Sequence, residues 1–226
     1  MKVRLFLIFL LAIAIWACTS DNEPTTEIAG FDFFPLETGT FITYNVDSVK
    51  ISQNVETSYT YQLRISVLES FTNSEGTETF ILQRHTRDDD TQPWKAAGTW
   101  TSWKTTRQAV VTEGNTIYIK MQFPISVGLG WNGNALNSLG GSDRCNGADC
   151  DRYDITEIDP MVVITQQDET DVLTKDVRIE KYSREIGLVY KESIVYQYCE
   201  SGSCFGTDFI VDGLRYKMEM TDSGAL

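Results

Sequence analysis

The chain is poor in basic residues, in histidine and in helical pattern. Lysine and arginine number 19 against 32 aspartates and glutamates, a formal net charge of −13 over 226 residues. That deficit argues against nucleic acid as a partner, because binding it means neutralising phosphates with a basic surface. It argues equally against adhesion of the domain itself to an anionic bilayer. Solubility at a cell surface accounts for the charge. There is one histidine, His85, and no G-x-S-x-G elbow or H-E-x-x-H pair, so the familiar hydrolase signatures are missing. No fingerprint calls for a cofactor. No stretch of a dozen residues repeats its apolar positions at 3.6, which excludes a fold built on amphipathic helices. Long apolar runs are scarce too. Leu5 to Ile15 is unbroken, but it falls short of the roughly 20 residues that a helix needs to cross a bilayer.

What is present begins at that run. Met1-Lys2-Val3-Arg4 is a short basic start, the apolar run follows, and Trp16-Ala17-Cys18 ends it abruptly. This order is that of a secretory signal peptide. Ile15-Trp16-Ala17-Cys18 resembles the lipobox of bacterial lipoproteins, with Trp16 bulkier than the tightest form of the box. The resemblance implies cleavage before Cys18 and lipidation of that cysteine; an ordinary signal peptide with an incidental cysteine is the alternative. Residues 1–17 are thus expected to be the signal, 18–30 the lipidated cysteine with a polar, flexible tether, and 31–226 a single domain. Cleavage removes Lys2 and Arg4 and no acid, so the mature net charge becomes −15. Thr19-Ser20-Asp21-Asn22-Glu23 resembles the acidic export signal of Bacteroidota surface lipoproteins, although a merely acidic spacer reads the same way.

Setting Cys18 aside leaves Cys145, Cys150, Cys199 and Cys204, in two C-x4-C pairs with 48 residues between them. In an exported chain these predict two disulfides. Structural zinc prefers closer spacing and would want a histidine nearby. Three connectivities are open, and the local one is simplest: Cys199–Cys204 would clamp a hairpin loop. Closing so short a loop contributes only roughly 2 kcal/mol.

Beyond the tether, apolar and polar residues alternate with a period of two. Tyr59, Tyr61, Leu63, Ile65 and Val67 alternate with polar residues, as do Ile117, Ile119, Met121 and Phe123, and Leu214, Tyr216, Met218 and Met220. Further strands are expected over Phe41–Val46, Thr77–His85, Trp100–Arg107, Val162–Gln167, Val172–Tyr182 and Leu188–Cys199. Glu113-Gly114-Asn115, Ile186-Gly187 and Val211-Asp212-Gly213 supply turns. About ten short strands with one wet face predict an all-β fold: an antiparallel barrel, half-barrel or sandwich. Gly128 to Asp151 holds six glycines and the first cysteine pair, and is the main irregular segment. No repeat and no domain boundary is visible.

Three segments carry a resemblance. Phe33-Phe34-Pro35-Leu36-Glu37-Thr38-Gly39-Thr40-Phe41-Ile42-Thr43-Tyr44, Phe123-Pro124-Ile125-Ser126-Val127-Gly128-Leu129-Gly130-Trp131-Asn132-Gly133-Asn134 and Ile186-Gly187-Leu188-Val189-Tyr190-Lys191-Glu192 resemble segments of uncharacterised β-rich Bacteroidota lipoproteins. The resemblance implies an envelope lipoprotein at the outer membrane and brings no activity with it. Physically the segments read as architecture, with Pro35, Gly39 and Gly187 shaping turns and Trp131 covering one.

Candidate chemistry is thin. His85 reads as a surface residue sharing a strand face with Thr79, Ile81 and Gln83. Asp143, Asn146, Asp149, Asp151 and Asp154 crowd one loop and suit calcium, though a solvated acidic turn gives the same pattern. Asp88-Asp89-Asp90 is a second acidic run. Trp94, Trp100 and Trp103 could contact a ligand, with Trp100 and Trp103 on opposite strand faces.

The expected function is a non-enzymatic binding or assembly module, held on the membrane by its lipid and accompanying an envelope protein complex. The alternatives are a β-barrel carrier of a small apolar or sugar ligand, and a hydrolase with dispersed acidic residues. A carrier requires an apolar cavity with a few convergent polar groups; a hydrolase requires two facing carboxylates, one with a raised pKa.

Overall fold

A computed structural model describes residues 29–139 and 152–226. A 3-10 turn, Phe31–Phe33, leads into twelve strands: β1 (Thr40–Ser52), β2 (Val55–Thr72), β3 (Glu78–Arg87), β4 (Lys95–Lys104), β5 (Gln108–Glu113), β6 (Thr116–Gln122), β7 (Gly130–Asn132), β8 (Arg152–Glu157), β9 (Val162–Thr170), β10 (Thr174–Ser183), β11 (Gly187–Tyr198) and β12 (Ile210–Ala225). They form one antiparallel sheet in the order β6-β5-β4-β3-β2-β1-β12-β11-β10-β9-β8-β7. The chain's first and last strands therefore pair at the centre, Thr40 to Ser52 against Ala225 to Asp212.

The sheet curls until its two edges nearly meet, so the fold is a barrel. Among the described residues, hydrogen bonds cross the remaining seam from the Ile119 N–H to the Gly133 carbonyl at 2.9 Å, from the Trp131 indole N–H to the Ile119 carbonyl at 2.8 Å, and from the Asn137 amide to the Ile117 carbonyl at 2.7 Å. Trp131 is thus a closure residue rather than a cover over its turn. Gly133 beside it is required by space, because a Cβ there would lie 2.3 Å from the Tyr153 ring.

Nine strands coincide with sequence-predicted ones. β5, β7 and β8 do not, and β7 falls inside the segment expected to be irregular. The β6 pattern is also corrected. Ala109 pairs with Met121 and Val110 with Ile119, so Lys120 is the extra residue of a β-bulge. Lys120, expected on the wet face, is 5% exposed, and Met121 beside it is fully buried.

One end of the barrel is covered by the segment before β1. Phe33 is fully buried, and the Phe31 and Phe123 rings meet edge to face at 4.7 Å. Lys104 at the end of β4 donates to the Phe31 and Phe34 carbonyls at 3.0 and 2.9 Å. Asp32 pairs with Arg184 of the β10–β11 turn, and the Ile125 N–H donates to the Ala29 carbonyl at 3.2 Å. Gly187, at φ +94°, keeps that turn against Pro35, whose Cδ would lie 3.4 Å from an added Cβ. The three segments that carry the family resemblance therefore meet at this end.

Candidate functional site

The interior of the barrel has two halves. Met121, Trp131, Tyr153, Ile155, Val162 and Ile164 fill one side as packed core. The other side holds a cavity of about 260 Å³. Its walls are apolar: Ile42 of β1, Ile65 and Val67 of β2, Leu82 of β3, Trp100 of β4, Val111 of β5 and Leu188 of β11. Its mouth is formed by Phe34, Pro35, Leu36 and Glu37 against Glu185, Ile186 and Gly187. The polar groups facing it are few: Thr40, Tyr44, Ser102, Glu113, Lys120 and Tyr182, with Ser223 near the rim.

Three of them, Glu113, Lys120 and Tyr182, belong to a buried network centred on Glu180, which is 0% exposed. The Lys120 ammonium lies 2.7 Å from Glu113 Oε1 and 3.0 Å from Glu180 Oε1. Lys191 reaches Glu180 Oε1 at 3.1 Å, and the Tyr182 hydroxyl donates to Glu180 Oε2 at 2.6 Å. The ladder explains the gathering: Glu180 pairs with Lys191 on β11, and the β6 bulge turns Lys120 inward. Burial alone would raise the Glu180 carboxyl, but the Lys120 and Lys191 charges and the Tyr182 hydrogen bond hold it far below the carboxylate range. Glu113 is lowered the same way, burial being outweighed by Lys120 and Lys191. Burial would lower the Lys120 ammonium, yet Glu113 and Glu180 raise it well above the lysine range. Burial, followed by the Glu180 charge, raises the Tyr44 and Tyr182 phenols, so both stay protonated. The cluster balances two carboxylates with two ammonium groups. Both carboxylates are ionised, and neither is poised as the general acid that a two-carboxylate hydrolase requires.

Of the sequence-predicted site residues that the structure describes, the cavity gathers Trp100 alone. Its indole is covered by the Arg84 guanidinium at 4.0 Å. Trp103 lies on the opposite strand face, partly buried against the core. Trp94 is stacked between Arg64 and Arg87, at 4.6 and 4.4 Å from its ring centroid. His85 pairs with Arg64 on β2 and lies outside the cavity. Asp89 accepts from Thr91, and Asp90 pairs with Arg87, so the second acidic run shapes its own loop. Asp154 is engaged by Arg152 at 3.1 Å, and among the described residues no group of three or more metal-ligating side chains occurs. Asp143, Asn146, Asp149, Asp151, Cys145, Cys150 and Cys18 lie outside the described residues. Cys199 and Cys204 form a disulfide, the local pairing, with Cα atoms 5.8 Å apart. It clamps the β11–β12 connection, away from the cavity.

Lys120, Glu113, Glu180 and Tyr182 escaped sequence reasoning. The one signal was ionisable residues inside apolar strands, which a one-sided alternation assigns to solvent.

No protein-family model matches the chain, and no curated protein matches it either. Among solved structures, an S-type phycobiliprotein lyase from Guillardia theta aligns over 91% of this chain and 100% of its own, at 8% identity and a TM-score of 0.34. A likeness of that size carries no argument about function.

Proposed function

We propose that this chain is a lipid-anchored binding protein whose barrel carries one small, mostly apolar molecule. The cavity supports this reading: its walls are apolar, and a few polar groups face it. A cavity near 150 Å³ takes up benzene, so about 260 Å³ suits a ligand of roughly ten non-hydrogen atoms, or a longer one emerging through the mouth. Sugars fit less well, because the walls offer few polar partners. The anchor rests on the lipobox at Cys18, and the outer membrane and the cell surface on the acidic residues that follow it.

Titration of the mature protein with N-phenyl-1-naphthylamine should give saturable binding of one molecule per chain. Val67→Trp, which fills the cavity from β2, should abolish it while the far-ultraviolet circular dichroism stays unchanged. Undiminished binding in that variant would place the dye elsewhere and sink the carrier reading. Cys18→Ser should move the protein from the membrane fraction to the soluble one; retention on the membrane would refute the anchor.

A second reading, docking to an envelope protein, has its own observation. At the end away from the mouth, Tyr59, Val195 and Leu214 share the inner-facing side of β2, β11 and β12, yet are 55%, 39% and 40% exposed. A pull-down in mild detergent tests this: a stoichiometric partner lost in Leu214→Asp favours docking, and a partner that stays bound rejects that surface.

A further inference from the structure

Four of the hydroxyls that face the cavity share one property. Tyr44 donates its proton to the Leu188 carbonyl at 2.9 Å, Ser102 to the Val110 carbonyl at 2.8 Å, and Tyr182 to Glu180 at 2.6 Å. Thr40, nearer the rim, donates to the Glu37 carbonyl at 2.7 Å. Each proton is therefore committed to the protein, and what each oxygen turns towards the cavity is a lone pair. Glu113 adds more of the same: Lys120 holds one of its oxygens at 2.7 Å, and an ionised carboxylate can only accept. The ammonium of Lys120 is itself fixed between two carboxylates.

Resting on the reading of the cavity as a ligand site, we infer that the ligand's polar end is an uncharged hydrogen-bond donor. It is the hydroxyl of an apolar alcohol, received by Glu113 and the Tyr44, Ser102 and Tyr182 oxygens. An acceptor-only head would meet these oxygens lone pair to lone pair, with only the third N–H of Lys120 left to answer it. A carboxylate head adds charge repulsion from Glu113. The head is uncharged because the two carboxylates of the network are already matched by Lys120 and Lys191, so no unanswered charge awaits an ammonium. Arg84, the cation stacked on Trp100, is not among the lining side chains and offers an anion no direct contact.

The test is a head-group series on one tail, measured by isothermal titration calorimetry with the mature protein at neutral pH: 1-decanol, methyl decanoate and decanoate. The expected result is 1-decanol binding at least about tenfold more tightly than either other compound, the size of the penalty for one unanswered buried acceptor. Methyl decanoate or decanoate binding as tightly as the alcohol overturns the inference and leaves the cavity reading standing. Binding of none of the three overturns the cavity reading, and the inference with it. Glu113→Gln exchanges an acceptor for an amide donor and should narrow the gap between alcohol and ester. If that variant does not fold, Tyr44→Phe, which removes one of the waiting oxygens, should narrow it too. An unchanged gap in whichever variant folds counts against the assignment.

Discussion

At the scale of single residues, Glu180 gathers two ammonium groups and one phenol on a fully buried carboxylate. A buried ion pair is not in itself strong evidence of stability, but removing one partner leaves the others buried and unmatched. Glu180→Gln should therefore cost about 3–5 kcal/mol in urea denaturation at neutral pH. A cost under 1 kcal/mol would mean the network is solvated in solution. The pH dependence follows from the directions of the shifts. Glu180 and Glu113 are lowered, so their contribution is complete above the ordinary carboxylate pKa of about 4.3 and fades as pH falls below it towards the folded-state values. Lys120 is raised, so its contribution is complete below about 10.4 and fades as pH rises through its higher folded-state value. The denaturation midpoint should thus be flat from about pH 5 to about pH 10 and fall on the acid side, with a shallower acid fall in Glu180→Gln. Parallel acid limbs in the two proteins would assign acid sensitivity to other carboxylates.

At the scale of elements, the sequence was most informative where one strand face is wet. β1, β2 and β12 announce themselves through their central stretches, where Tyr44, Val46, Leu63 and Met218 are buried while Asn45, Asp47 and Glu219 between or beside them are exposed. β5 hides because Ala109, Val110 and Val111 are all buried, so no alternation survives. β7 is three residues long and takes its place from pairing with β8 rather than from any pattern of its own. Lys120 was misplaced for a different reason: a bulge reverses the side-chain alternation locally, and it arises from pairing with β5, which sequence spacing does not encode. The candidate site was legible only through Trp100, since its charged members sit in strands where charge normally signals solvent. Two substitutions probe the elements directly. Trp131→Phe keeps an aromatic ring, though a smaller one, and removes the donor to the buried Ile119 carbonyl; it should cost at least about 1–3 kcal/mol and speed hydrogen exchange in β6. Unchanged exchange there would mean the seam does not depend on that bond. Gly187→Ala forces a side chain into the left-handed region beside Pro35 and should cost about 1–2 kcal/mol by thermal denaturation. A neutral result would show that the β10–β11 turn relaxes freely.

At the scale of the whole molecule, the chain closes upon itself at the β1–β12 pair, and the segment before β1 returns to cover one end. The three family-like segments, far apart in sequence, are neighbours there, so the features read as architecture also frame the mouth of the cavity. The disulfide lies elsewhere. Reducing Cys199–Cys204 should lower stability by only about 2 kcal/mol and leave dye binding intact. Loss of binding on reduction would show that the β11–β12 connection and the cavity are coupled.

The seam between β6 and β7 makes the barrel a hoop with one compliant joint. Every other junction around its circumference is a strand-to-strand ladder, whereas this one is crossed by three hydrogen bonds among the described residues, two of them from side chains. Under outward pressure a hoop yields at its weakest fastening. A guest too bulky for the resting cavity should accordingly strain this joint before the central β1–β12 pairing.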